Sequence, residues 1–141
     1  CRTIALGGLR YAACASPDFV VRFFADGVNA QALSRAPSLR FDRRDGLQRR
    51  WAKEVHGIEF DAPTYTAAST HAFIDLALAG LAWGMQPITL AEPHVAAGRL
   101  VELTPSSRID VPLHWTVARL PVASLRHLTE AVRTAARAAL T

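Results

Sequence analysis

Short apolar runs and longer stretches with helical spacing follow one another along the chain. Leu9 to Ala15 (LRYAACA), Ser38 to Asp42 (SLRFD) and Thr64 to Ala68 (TYTAA) each predict a strand, because short runs carrying β-branched or aromatic residues suit a pleated, half-buried surface. A helical pattern follows each. In the second, Asp45 is placed to cap a helix with Gln48 at its third position. Leu47, Trp51 and Val55 recur on one face, and Gly57 supplies the stop. In the third, Ser69 or Thr70 caps a helix whose Phe73, Ile74, Ala77 and Leu78 make a broad apolar face, with Gly80 at its end.

Trp83 to Gln86 and Leu100 to Leu103 predict two more strands. Between them Pro87 opens a short helical stretch that Pro93 interrupts and Gly98 finishes. Gly7-Gly8 reads as a loop, Thr104-Pro105-Ser106-Ser107 as a linker, and Val111 to Val117 as extended chain. The last helix starts at Pro121. It puts Val122, Leu125, Leu128, Val132 and Ala136 on one face and Arg126, Glu130, Arg133 and Arg137 on the other. Alternating strands and helices predict an α/β architecture with a largely parallel sheet. Ligands of such sheets sit at the carboxyl ends of strands, against helix amino termini. Here those places are Asp42 to Asp45 and Ala68 to His71.

Composition narrows this by exclusion. Half of the 141 residues are hydrophobic and 20% charged, which rules out disorder and collagen-like repeats. No apolar stretch reaches the roughly 18 to 20 residues that a bilayer demands, since Phe73 to Met85 is broken by Asp75, so no membrane partner is expected. The chain opens on Cys1 with no initiator methionine and no signal-peptide pattern, so a preceding segment is expected to have been removed. Of sixteen basic residues fifteen are arginine, and only Arg40, Arg43, Arg44, Arg49 and Arg50 cluster. Direct nucleic-acid binding needs a continuous stripe and is not expected of this segment. Cys1 and Cys14 have no metal-ligand spacing, and Cys14 lies in an apolar run, as in a reduced cytoplasmic protein with a buried thiol.

Two loops could carry chemistry, and each has an ordinary reading beside the functional one. Asp45 can be a helix cap and Asp42 the partner of a neighbouring arginine, or Asp42 can face a cleft and pair with a cationic ligand group. Ser69-Thr70-His71 can be a plain cap, or its helix amino terminus can hold an anion or carboxylate. A zwitterion with a basic side chain would satisfy both loops. His71 and Asp75 are too few ligands for zinc, no cofactor motif follows Gly7-Gly8, and Cys14 lacks the context of an activated thiol; no cofactor and no enzymatic chemistry are expected.

The segments LGGLRYAACASPDFVVRFFADGV (Leu6 to Val28), APSLRFDRRDGLQ (Ala36 to Gln48), ASTHAFIDLALAGLAWGMQP (Ala68 to Pro87), AAGRLVELTP (Ala96 to Pro105) and PLHW (Pro112 to Trp115) follow one another in unbroken order. Together they resemble the effector-binding domain of LysR-type transcriptional regulators, and in particular the ArgP (LysG) group that responds to lysine and arginine. The resemblance implies a periplasmic-binding-protein-like type 2 architecture, with two α/β subdomains joined by crossover strands and the effector between them. It implies that residues 1–16 end the first subdomain, 17–103 form a complete second one, and 104–141 return to the first. The other pocket wall and the DNA-reading winged helix-turn-helix would lie outside this chain. Asp42 and Asp45 would then face the effector's cationic side chain, Ser69, Thr70 and the helix amino terminus its carboxylate, and Ser16 at the hinge would add a hydroxyl. The implied protein is a dimer or tetramer that senses lysine or arginine and contacts DNA only through its absent domain. The alternative from another class is a two-lobed solute-binding component for an amino acid.

Overall fold

A computed structural model describes residues 2–118 and 123–140. The chain divides into two compact units, Cys1–Arg10 with Asp110–Thr141, and Tyr11–Ile109. Strand β1 (Arg2–Ala15) is followed by helices α1 (Pro17–Phe23) and α2 (Ala30–Arg35), strand β2 (Ser38–Arg40), helix α3 (Leu47–His56), strand β3 (Thr64–Thr66) and helix α4 (Thr70–Leu78). Then come β4 (Gly84–Pro87), α5 (Ile88–Ala96), β5 (Val101–Glu102), β6 (Ile109–Val117) and α6 (Ala123–Ala139).

In the unit Tyr11–Ile109, β1 is antiparallel to both β4 and β5, with Ala13 opposite Met85 and Cys14 opposite Glu102. Strands β2 and β3 run parallel, and a parallel bridge from Ser38 to Trp83 joins them to the approach to β4. The sheet is thus mixed, not largely parallel as the alternation of elements suggests. The parallel rule applies to strands joined by helical crossovers, and β1 enters on the other side of β4 with the opposite sense.

Alternation along β1 separates two cores. Ala13 and Ala15 face the cluster holding Phe19, Leu33, Trp51 and Trp83, while Ala12 and Cys14 face the cluster of Leu39, Phe73, Ile74 and Leu100. Successive side chains of a strand point to opposite faces, so helices α1 to α3 cover one side and α4 and α5 the other. Small residues in β1 and β4 let those helices come close. A Cβ on Gly84 would lie 2.8 Å from Leu39 Cδ1 and 2.9 Å from Phe73 Cε2.

Several local expectations change. Gly7 and Gly8 lie inside β1 instead of forming a loop, with Gly7 at a φ of 119°, a conformation that leaves the chain extended only because no Cβ is present. Pro93 sits inside α5 without interrupting it. The cap of α3 is Gly46, one residue after Asp45. At the other end the Gly57 N–H closes the helix on Lys53 O at 2.9 Å, as the spacing predicts.

In the other unit, β6 pairs with β1. Arg10 Nε donates to Asp110 Oδ1 at 2.8 Å, and Trp115 Nε1 donates to Thr129 Oγ1 at 3.0 Å. Helix α6 buries Thr129 and Ala136, and Leu128, expected on the apolar face, is half exposed. Pro121 and Val122, its expected start, fall outside the described residues.

Candidate functional site

The loop after β2 is built by its two aspartates. Asp42 Oδ1 accepts from Arg44 N at 2.8 Å, and Asp42 O accepts from Asp45 N at 3.1 Å, which folds the loop into a tight turn. Asp45 then holds both ends: Oδ2 accepts from Phe41 N at 2.8 Å and from Gln48 Nε2 at 3.2 Å, and Oδ1 accepts from Leu47 N at 3.1 Å. A carboxylate here satisfies a first-turn N–H of α3 and lies beside the positive end of the helix dipole, although Gly46 occupies the cap position.

Gln48 ties this loop to the sheet. Trp83 N donates to Pro37 O and Leu39 N to Trp83 O, at 3.1 and 2.8 Å. The next rung of that parallel ladder would start at Met85 N, which donates instead to Gln48 Oε1 at 2.9 Å. Gln48 is buried, so its amide replaces a missing strand contact and at the same time fixes Asp45.

The loop after β3 ends at Ser69, which caps α4 by accepting from Ala72 N at 3.3 Å. Thr70 is the first residue of α4. It stands with Asp45 on the wall of one cavity of about 300 Å³, a size that suits a small ligand. The cavity opens where β2 and β4 end, between Phe41, Thr70, Gln86 and Pro87, with Tyr11 of β1 paired opposite Pro87. This is the carboxyl-end location expected of an α/β sheet.

The candidate residues separate accordingly. Asp45 and Thr70 meet at the cavity. Asp42 and Ser69 turn to the backbone of their own loops, and the buried Ser16 caps α1 by accepting from Phe19 N at 3.2 Å. As site residues the sequence did not mark Tyr11, Phe41 and Phe73, which supply aromatic wall, or Gln86, and it marked Gln48 only for its place in the first turn of a helix. A signal for Gln86 existed, since it is a lone polar side chain in the apolar run before Pro87, at the end of a strand.

The Tyr11 hydroxyl is raised above its usual pKa by burial first and by the negative charge of Asp45 second, so it stays neutral beside that carboxylate. Burial, then Glu102, pushes the Cys14 thiol up to about 12, which leaves it protonated, inaccessible and a poor nucleophile. His71 and Asp75 are solvent-exposed on α4. Among the described residues no group of three or more His, Cys, Asp or Glu is placed to hold a metal ion.

Residues 1–141 match the LysR substrate binding domain. The chain belongs to that family. It is 40% identical over 129 residues to the HTH-type transcriptional regulator ArgP of Pseudomonas aeruginosa, an alignment covering 92% of this chain and 43% of that protein. The C-terminal domains of a LysR family protein from Agrobacterium tumefaciens superpose with a TM-score of 0.96 at 47% identity, over all of this chain and 68% of that one. Full-length LysG from Corynebacterium glutamicum with bound effector arginine superposes with a TM-score of 0.84 at 33% identity, over 99% of this chain and 47% of that one. The chain is thus part of a LysR effector-binding domain of the ArgP/LysG type, with a mixed α/β, periplasmic-binding-protein-like type 2 fold. It spans less than half the length of its ArgP relative.

Proposed function

We propose that this chain senses a basic amino acid, lysine or arginine, and passes the binding event to the DNA-binding part of a cytoplasmic, homo-oligomeric transcriptional regulator. The observation that carries the reading is the meeting of Asp45 and the start of α4 at one cavity. Asp45 supplies the negative charge for the cationic side chain. The Thr70 hydroxyl and the first-turn N–H groups of α4, which have no carbonyl partner within the helix, suit the carboxylate. Tyr11, Phe41 and Phe73 line the space around the aliphatic stem.

Asp42 and Ser69 act behind these groups, Asp42 by shaping the loop that presents Asp45 and Ser69 by capping α4. The bound arginine of the Corynebacterium glutamicum LysG structure supports the ligand class. Ligand-favoured closure of a two-lobed domain would shift the populations of two quaternary arrangements, with no chemical step.

Calorimetry on the full-length protein tests this. Arginine or lysine should bind, and Asp45→Asn should weaken binding by about 10- to 100-fold, the loss expected for a charge-assisted hydrogen bond of about 1.5–3 kcal/mol. Asp42→Asn should weaken it less. The absence of heat with either amino acid overturns the proposal.

A further inference from the structure

Asp45 cannot satisfy a basic head group by itself. An ionised carboxylate has about four lone-pair sites. Three hydrogen bonds from Phe41 N, Leu47 N and Gln48 Nε2 already fall on this one. About one site is left, enough for a single N–H of a ligand and too few for the two-pronged grip that a free carboxylate gives a guanidinium.

The same cavity holds a second acceptor. Gln86 is fully buried at its wall, and its Nε2 donates to Phe73 O at 3.4 Å, which directs the amide and leaves Oε1 without a hydrogen-bond partner among the described residues. Leaving a buried acceptor unsatisfied is costly, and an incoming donor removes that cost. Trp83 Nε1 is the other buried side-chain atom of this kind among the described residues. It lies among the rings of Trp51 and Phe60, 5.3 and 5.9 Å away between centroids, and Trp83 does not line the cavity.

We infer that Gln86 is a specificity-determining residue that selects a guanidinium over an ammonium head, its Oε1 accepting an N–H that Asp45 cannot. The inference rests on the reading of this cavity as the effector site. A guanidinium spreads five N–H donors over a rigid plane, so unlike an ammonium it has donors for Asp45 and for Gln86 at once, and a face to lay on an aromatic wall. Phe41 and Phe73 offer such a wall, with ring centroids 6.5 Å apart and planes at 40°. The ammonium of lysine is a compact, strongly hydrated point charge. Bound at Asp45, it keeps its remaining donors on water and gains little from a second acceptor.

The test is calorimetric titration of the full-length protein with arginine and with lysine, for the natural sequence and for Gln86→Met, which keeps the length of the side chain and removes the acceptor. Arginine binding should weaken about tenfold and lysine binding less than about threefold, so that the preference for arginine falls. Thermal melting without ligand checks the fold. If Gln86→Met does not fold, Gln86→Asn, which withdraws the amide by one methylene, takes its place with the same readout. Equal weakening of both ligands, or of neither, overturns the role of Gln86 while leaving the basic-amino-acid sensor intact. Failure of the natural protein to bind either ligand overturns both.

Discussion

The two compact units differ in what holds them. The unit Tyr11–Ile109 has two apolar cores on opposite faces of its sheet, with Trp51, Trp83, Phe19, Leu33 and Leu39 almost completely shielded from water. Among the described residues of the other unit only Thr129 and Ala136, both in α6, are buried, and its directional contacts include the pairing of β6 with β1, the Trp115–Thr129 hydrogen bond and the exposed Arg10–Asp110 pair. Burial of apolar surface is the dominant favourable contribution to folding, whereas exposed ion pairs add little. The first unit can therefore hold a cavity beside a buried amide whose oxygen has no partner among the described residues, while the second depends on polar contacts and half-covered side chains.

The substitution that should strain this contrast most is Trp51→Ala. Trp51 is fully buried, packs against Trp83 at 5.3 Å between ring centroids, and donates Nε1 to Ser107 O and Ser107 Oγ, each at 3.0 Å. Its loss should cost about 3–5 kcal/mol, read by denaturant unfolding of the full-length protein. A loss below about 1 kcal/mol would mean that the core is not the source of that unit's stability.

A smaller effect is expected from Thr129→Val. It keeps the shape of the side chain and removes the acceptor for Trp115 Nε1, at a cost of about 1 kcal/mol. Amide hydrogen exchange should show faster opening of α6 with α3 unchanged; equal acceleration in both would erase the distinction between the units.

The smallest effect belongs to the Arg10–Asp110 pair. The hydrogen bond from Arg10 holds the Asp110 carboxyl below its ordinary value, and in return the guanidinium is raised. A depressed carboxyl pKa contributes stability above the unfolded-state value near 3.8 and loses it as pH falls through the folded value. Asp110→Asn should thus separate from the natural protein slightly at neutral pH and converge with it in acid. Exchange rates along β6 measured at both pH values check the sign.

Much of the fold was legible because local rules governed it. The strands at Ser38 and Thr64, the helix from Leu47 to the Gly57 stop and the Ser69 cap with the helix behind it came from apolar spacing and cap chemistry, and β2, β3, α3 and α4 stand there. Two errors came from the same rules applied without context. Glycine and proline are read as breaks, yet Gly7 extends a strand held by a partner distant in sequence, and Pro93 rides inside α5. The candidate site was half legible. Turn and cap residues marked the loops of Asp45 and Thr70, but the same residue types at Asp42, Ser69 and Ser16 serve the backbone away from the cavity wall, and only the tertiary structure tells the two groups apart.

The sequence by itself determined the element types, the two loops at strand ends and the family, because these follow from periodicity, capping and ordered motifs that one chain displays. The tertiary structure decided which aspartate reaches the cavity, and that Gln86 lies buried with an acceptor unpartnered among the described residues. Those facts depend on how β1, β4, α3 and α4 come together. Hydrogen-bond satisfaction is a property of three-dimensional neighbours, and the partner that directs the Gln86 amide, Phe73 O, is distant in sequence.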